Sequence, residues 1–169
     1  VGYNNITNLD LSQNIALTHL RCDSNQLTSL DLNANTALEI LACANTALTS
    51  LDLSANIALK SLLCWGNQLT SLDLSANTAL ISLNCGANQL TALNVNNNPV
   101  LVGIICTYNQ LTSLDVSNNT ALTSLNCSYN QLTSLDVRNG NNTNMIASSS
   151  YSLNLSNNPQ LFCIDVDDA

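Results

Sequence analysis

With only three basic residues, one histidine and 4% aromatics, this 169-residue sequence lacks what several function classes require. Eleven acidic residues against those three basic ones give a formal charge of −8. A phosphate-tracking basic stripe cannot be built from three cations, so nucleic acid is not an expected partner. The same shortage argues against an electrostatic hold on anionic lipid. No apolar run approaches the ~20 residues of a membrane-spanning helix, so no membrane insertion is expected. The single histidine takes part in no Ser-His-Asp or Cys-His arrangement. The carboxylates fall in one periodic row, with no pair set apart in a cleft for acid–base work. The chain is therefore read as non-enzymatic and without a cofactor. Large aromatic side chains cannot fill its interior either, although 46% of the residues are hydrophobic.

What the sequence does have is a period. Cysteines stand at positions 22, 43, 64, 85, 106 and 127, each step 21 residues. A fixed period of this length is the mark of a stacked-repeat solenoid. Around each cysteine the phrase repeats: Leu20-Arg21-Cys22, Leu62-Leu63-Cys64, Ile104-Ile105-Cys106. Stacked one turn apart, at about 4.8 Å, parallel inward thiols have the wrong separation and direction for unstrained disulfides. They read as a buried column of small hydrophobes. Without a Cys-x-x-Cys or a nearby histidine, no metal site is expected from them.

Each 21-residue turn contains two in-out-in segments, such as Leu62-Leu63-Cys64 and Leu72-Asp73-Leu74, separated by two corners. That alternation predicts two short strands per turn. Inward rows are regular: Leu27 through Leu132, Leu30 through Leu135, Leu32 through Val137, and Leu17 through Leu122. One turn cannot bury such a face alone, whereas stacked turns can. Asparagine rows mark the corners. One runs Asn4, Asn25, Asn67, Asn88, Asn109, Asn130, broken by Thr46; the other runs Asn14, Asn35, Asn56, Asn77, Asn98, Asn119, Asn158, broken by Gly140. An inward amide supplies donors and an acceptor to corner backbone groups.

The pattern Leu-x-x-Leu-x-Leu/Cys-x-x-Asn-x-Leu resembles a leucine-rich repeat. Its length, with Leu-x-Cys in one half and Leu-Asp-Leu in the other, resembles the nested bacterial IRREKO subclass. The resemblance covers residues 1 to 137, with a last turn near 153 to 166. It implies a right-handed solenoid, mostly β with short parallel strands on two faces and little or no helix. It also implies a section of a secreted or cell-surface bacterial protein engaged in recognition or adhesion.

The chain is expected to form one domain over 1–169: regular turns to 137, an irregular loop over 138–150, then a terminal turn and cap over 151–169. Met145 and Ile146 are expected to tuck against the last full turn. Cys163 is expected off the cysteine row, with Val166 in that place, either as a half-buried thiol or bridged to a residue beyond the sequence. Asp167 and Asp168 would blunt an open sheet edge. Val1 falls on the cysteine row, so the chain reads as a piece of something longer with flanking domains, and no stretch of it reads as a signal peptide.

The two faces differ. The Leu-Asp-Leu face repeats Asp10, Asp31, Asp52, Asp73, Asn94, Asp115 and Asp136 with serines such as Ser29 and Ser50 beside them. Crowding is expected to raise some of these carboxylate pKa values, and the serines to donate to them. A cation ladder is a weaker reading, since dedicated Ca²⁺ sites use mixed carbonyl and bidentate ligands.

The Leu-x-Cys face varies from turn to turn. Its candidate ligand-binding residues are Arg21, Asp23, Leu63, Trp65, Asn84, Ile105, Thr107 and Tyr108. A scaffold does not require Leu63, Trp65 and Ile105 at water-facing positions. Small neighbours Ala44, Gly86 and Ala87 leave room for a shallow groove about Trp65. His19, Arg21 and Asp23, with Lys60 nearby, form a charged group. Trp65, Asn84 and Tyr108 suit a polysaccharide through stacking and amide hydrogen bonds; Leu63 and Ile105 suit a protein partner. A structural spacer with no ligand of its own is the alternative reading.

Overall fold

The computed structural model describes residues 1–147 and 153–168. The chain is a parallel β-solenoid. Strands β1 (His19–Arg21), β2 (Ile40–Ala42), β3 (Ser61–Leu63), β4 (Ser82–Asn84), β5 (Gly103–Ile105), β7 (Ser124–Asn126) and β9 (Leu153–Asn154) form one seven-stranded sheet in that order. Its register advances by the repeat length, with Leu20 opposite Leu41, Leu41 opposite Leu62 and Leu62 opposite Leu83. The second sheet is smaller: β6 (Ser113–Asp115), β8 (Ser134–Asp136) and β10 (Cys163–Asp165). Both Leu-rich segments were expected as strands in every turn. Among the described residues the Leu-Asp-Leu segments form a ladder only at this C-terminal end.

The core is the interior of the stack. The six row cysteines are fully buried among Leu27, Leu48, Leu69, Leu90, Leu111 and Leu132 and the parallel rows. All are free thiols. Burial pushes the Cys22 thiol up to about 11 and those of Cys85 and Cys127 to about 12. Desolvation of the thiolate is the main cause, so the column is packing material and not a nucleophile array.

The first corner follows the cysteines. There Asn88 Nδ2 donates to Cys64 O, Cys85 O and Gly86 O, each at 3.1 Å, and Oδ1 accepts from Leu69 N at 3.0 Å. Asn67, Asn109 and Asn130 repeat the pattern. Thr46 breaks it: its hydroxyl lies 3.2 Å from Cys43 O and 2.6 Å from Asn67 Oδ1. At this corner every turn carries one residue with left-handed φ, from Tyr3 (59°) through Ala87 (50°) to Tyr129 (56°), and only one of the row, Gly66, is glycine. Such a φ costs an L-residue roughly 1–2 kcal/mol. The repeated hydrogen bond from this residue's N–H to the next turn, as in Ala87 N to Thr107 O at 2.8 Å, offsets it.

The second corner departs from expectation. Asn77 Nδ2 donates to Leu53 O and Asn56 O, yet its Oδ1 meets no protein donor. Asn35, Asn56, Asn98 and Asn119 share this arrangement. The tight turn directs the Leu80 N–H to the Asn77 backbone carbonyl instead.

Three further expectations are corrected near the C-terminus. Segment 138–150 was read as an irregular loop; it contains helix α1 (Asn142–Ala147), and Ser148 to Ser150 lie outside the described residues. Met145 is buried as expected, while the Ile146 side chain lies outside the described part. Asn158 belongs to the first corner: its Nδ2 donates to Cys127 O and Leu155 O, and Leu132 N donates to its Oδ1. Leu155 therefore takes the cysteine place. Cys163 aligns with Ser134 and Ile164 with Leu135, which puts Val166 in the row of Val137. The inserted residues shift the last turn's register, so counting by 21 misassigned it. The Asp167 carboxylate accepts from Gly140 N at 3.0 Å and from Asn142 N at the start of α1.

Candidate recognition face

The outward surface of the seven-stranded sheet is set by the strand alternation, with Leu41, Leu62, Leu83 and Ile104 inward and their neighbours outward. The charged group at its N-terminal end is internally paired. Arg21 Nε lies 3.7 Å from Asp23 Oδ2, and Lys60 Nζ lies 3.0 Å from Glu39 Oε1. Lys60, near this trio in the sequence reading, is held by Glu39 and not by Asp23. Asp23 also accepts from Ala44 N at 3.1 Å, which fixes it as a turn-to-turn staple. His19 Nδ1 rests 2.9 Å from Thr18 Oγ1.

Beyond Lys60 the face loses its charge. Between Ile81 and Tyr129 the only charged residue is Asp115, which lies in β6 on the other side of the stack. Arg21 and Lys60 balance Asp23 and Glu39, so the formal charge of −8 is carried by the Leu-Asp-Leu face and the C-terminal tail.

Trp65, Ile105 and Tyr108 are exposed, at 39%, 40% and 56%, and Leu63 is half-buried. Asn84 and Thr107 are half-buried, and Asn84 Oδ1 accepts from Gly86 N at 3.2 Å. That bond leaves the amide nitrogen of Asn84 as its outward donor. The groove expected from Ala44, Gly86 and Ala87 is only partly present, because Ala44 and Gly86 are buried and Ala87 alone is exposed.

Sequence reasoning missed three contributors. Ile81 and Val102 sit just before β4 and β5, are more than 40% exposed, and are joined by Val102 N donating to Ile81 O. With Leu63 and Ile105, which flank Asn84 in the sheet register, they make up the apolar part of this face. The readable signal was their register, which elsewhere holds Thr18, Glu39, Lys60 and Thr123. Tyr129 is the third. Its ring stacks on Tyr108 with centroids 4.2 Å apart and planes within 9°. The adjacent Tyr129 hydroxyl holds the Tyr108 phenol above its usual value.

The Leu-Asp-Leu face behaves differently from expectation. Asp10, Asp52 and Asp73 have lowered pKa values, chiefly because Ser12 N, Ser54 N and Ser75 N donate to their carboxylates at 2.9 Å. Their hydroxyls add to the effect. For Asp136 the Arg138 guanidinium is the main cause. At Asp10, Asp52 and Asp73 the expected rise from crowding is reversed, since the short turn aims an N–H at each carboxylate. The donors are the residues two places after each aspartate, not the serines before it. Among the described residues no group of three or more His, Cys, Asp or Glu side chains could hold a metal ion.

This geometry defines a leucine-rich repeat solenoid. Among solved structures, it is similar to the functional domain of InlJ from Listeria monocytogenes, described as including a cysteine ladder, with 28% identity and a TM-score of 0.55 over 97% of this chain and 47% of that one. It is similar to a leucine-rich repeat protein of Leptospira interrogans, with 21% identity and a TM-score of 0.76 over 96% of this chain and 41% of that one. A complex of TLR13 with single-stranded RNA matches at 26% identity and a TM-score of 0.62, over 73% of this chain and 20% of that one. The chain spans less than half the length of each of these structures. No family model matches the chain, and no curated protein sequence matches it.

Proposed function

We propose that this chain is a non-catalytic recognition module that binds a protein or glycan ligand through the variable Leu-x-Cys face. We place it with the 21-residue IRREKO-type repeats, in a secreted or cell-surface bacterial protein. The observation that carries the reading is the segregation of charge. A neutral sheet surface bearing Ile81, Val102, Ile105, Trp65 and Tyr108 stands opposite a monotonous acidic one. Charge-poor surface rich in aromatic and apolar side chains is typical of the centre of a binding interface. The apolar strip favours a protein partner over a glycan. Similarity to an RNA complex does not transfer to this chain, because three cations, each paired with a carboxylate, leave nothing to neutralise phosphates.

The test is a screen of the chain against displayed peptides and a glycan array, repeated with Ile105→Asp and with Asp52→Asn. A ligand whose affinity falls at least about tenfold with Ile105→Asp and not with Asp52→Asn supports the reading. Loss with Asp52→Asn alone moves recognition to the acidic face. No ligand in either screen leaves the chain a structural spacer.

A further inference from the structure

The tyrosine stack at the first corner is unfinished. Tyr108 and Tyr129 occupy equivalent positions in successive turns, linked by Tyr108 N to Ser128 O and Asn109 N to Tyr129 O. Their rings lie face to face along the direction in which the turns stack. Tyr129 covers one face of Tyr108. The other face looks along the stack to the next equivalent position, and that position is Ala87. Tyr108 is more exposed than Tyr129, 56% against 45%, with each ring covered on one side by the other. The position beyond Ala87 is Gly66, whose missing Cβ would meet Asn45 Oδ1 at 2.3 Å, so the Asn45 side chain closes the far side. Two turns of about 4.8 Å separate the positions of Tyr108 and Gly66, which is room for one ring between the tyrosine and the amide.

We propose that this notch over Ala87, between Tyr108 and Asn45, is the anchor subsite of the recognition face, and that it takes one uncharged aromatic side chain of a protein partner. The proposal rests on the face being a protein-binding surface and names the group that it holds. Charge supports an uncharged occupant, since no Asp, Glu, Lys, Arg or His lies between Ile81 and Tyr108 to pair with a cation or an anion. Geometry supports a flat one, because the notch continues an existing ring stack at ring spacing. The neighbouring apolar Ile105 and Trp65 support the residues flanking such a ring in a peptide better than the hydroxyls of a sugar chain.

The repeat supplies its own variant. Tyr3, Tyr108 and Tyr129 hold φ between 53° and 59° in this row, and Ala87 holds 50°, so Ala87→Tyr suits the backbone. It extends the stack and closes the notch while the fold is retained. Tyr108→Ala removes the platform from the other side.

The experiment selects a random displayed-peptide library on the wild-type chain and measures the selected peptides against Ala87→Tyr, Tyr108→Ala and Ile105→Asp. Circular dichroism and melting confirm that each variant is folded. The expected result is a consensus with one fixed Trp, Tyr or Phe and no conserved charge. Its affinity falls at least about tenfold with Ala87→Tyr and Tyr108→Ala and stays constant between 0.05 and about 0.5 M salt. Peptides that lose affinity with Ile105→Asp but not with Ala87→Tyr overturn the notch and keep the face. Peptides indifferent to all three variants overturn both. A basic consensus with salt-sensitive binding overturns the uncharged occupant. So does binding of a neutral oligosaccharide that Ala87→Tyr abolishes when no peptide is selected.

Discussion

The two corners of each turn use the same residue for different ends. At the first corner Asn88 satisfies three carbonyls and one N–H, in a row that also holds the left-handed residues and the tyrosine stack. At the second corner Asn77 satisfies two carbonyls and leaves a buried Oδ1 without a protein donor. The first corner joins the continuous seven-stranded sheet; the second adjoins the Leu-Asp-Leu segments, which among the described residues pair as strands only in the last turns. The difference teaches that asparagine periodicity alone does not fix how tightly a corner is bound. What matters is whether a backbone N–H of the adjacent turn is left free to reach the amide oxygen.

The largest expected effect comes from deleting the two amides separately. Asn88→Ala orphans buried carbonyls and the Leu69 N–H and should cost about 3 kcal/mol or more. Asn77→Ala removes two donors along with an oxygen that already lacks a partner, and should cost about half as much. Urea unfolding of both variants measures the difference, and equal costs would break the comparison.

A smaller effect sharpens it from the other side. In the turns of Asn67, Asn88, Asn109 and Asn130 the amide oxygen accepts the N–H nineteen residues earlier, while Thr46 points its hydroxyl at Asn67. Thr46→Asn restores the row and offers an acceptor to the Leu27 N–H. It should raise stability by about 1 kcal/mol in the same unfolding assay. A loss would mean that the Thr46–Asn67 contact is worth more than the restored ladder.

The smallest effect lies in the acidic row beside the second corner. Asp10, Asp52, Asp73 and Asp136 have folded pKa values below their ordinary 3.8. A lowered folded value means stability that is present above the ordinary pKa and lost as pH falls through the lowered one. The melting temperature should therefore stay level from pH 8 to 5 and decline only below about pH 4. Asp10, Asp52 and Asp73 are solvent-exposed, so the decline they cause should be slight. The double variant Asp52→Asn, Asp73→Asn keeps an acceptor oxygen, as Asn94 does naturally in bonding Asn96 N, and should flatten that part of the curve. A rise in melting temperature on acidification below pH 5 would restore crowding as the dominant force.

Most of the fold was legible because its rows are one-dimensional. The spacing of Cys22 to Cys127 and of the leucine rows named the turn, its inward face and the parallel register, and those pairs are observed. The site was legible only as a face. Leu63, Trp65 and Ile105 were readable as water-facing groups a scaffold does not need, but Tyr129 was not, because one tyrosine gains meaning only when its neighbour one turn away lies at ring distance. The last turn was misread for a related reason. Past Gly140 the inserted residues and α1 break the count, and hydrogen-bond partners, not spacing, assign Leu155 and Asn158.

The sequence by itself determined that this chain stacks, what it buries and where its charge lies, since burial of repeated apolar rows leaves a 21-residue period no other outlet. Only the tertiary structure decided which amide oxygens find donors, which carboxylates are held low and where the tyrosine stack stops. Those outcomes depend on where the groups of one turn fall against the next, within a few tenths of an ångström, and no spacing along a single turn records that.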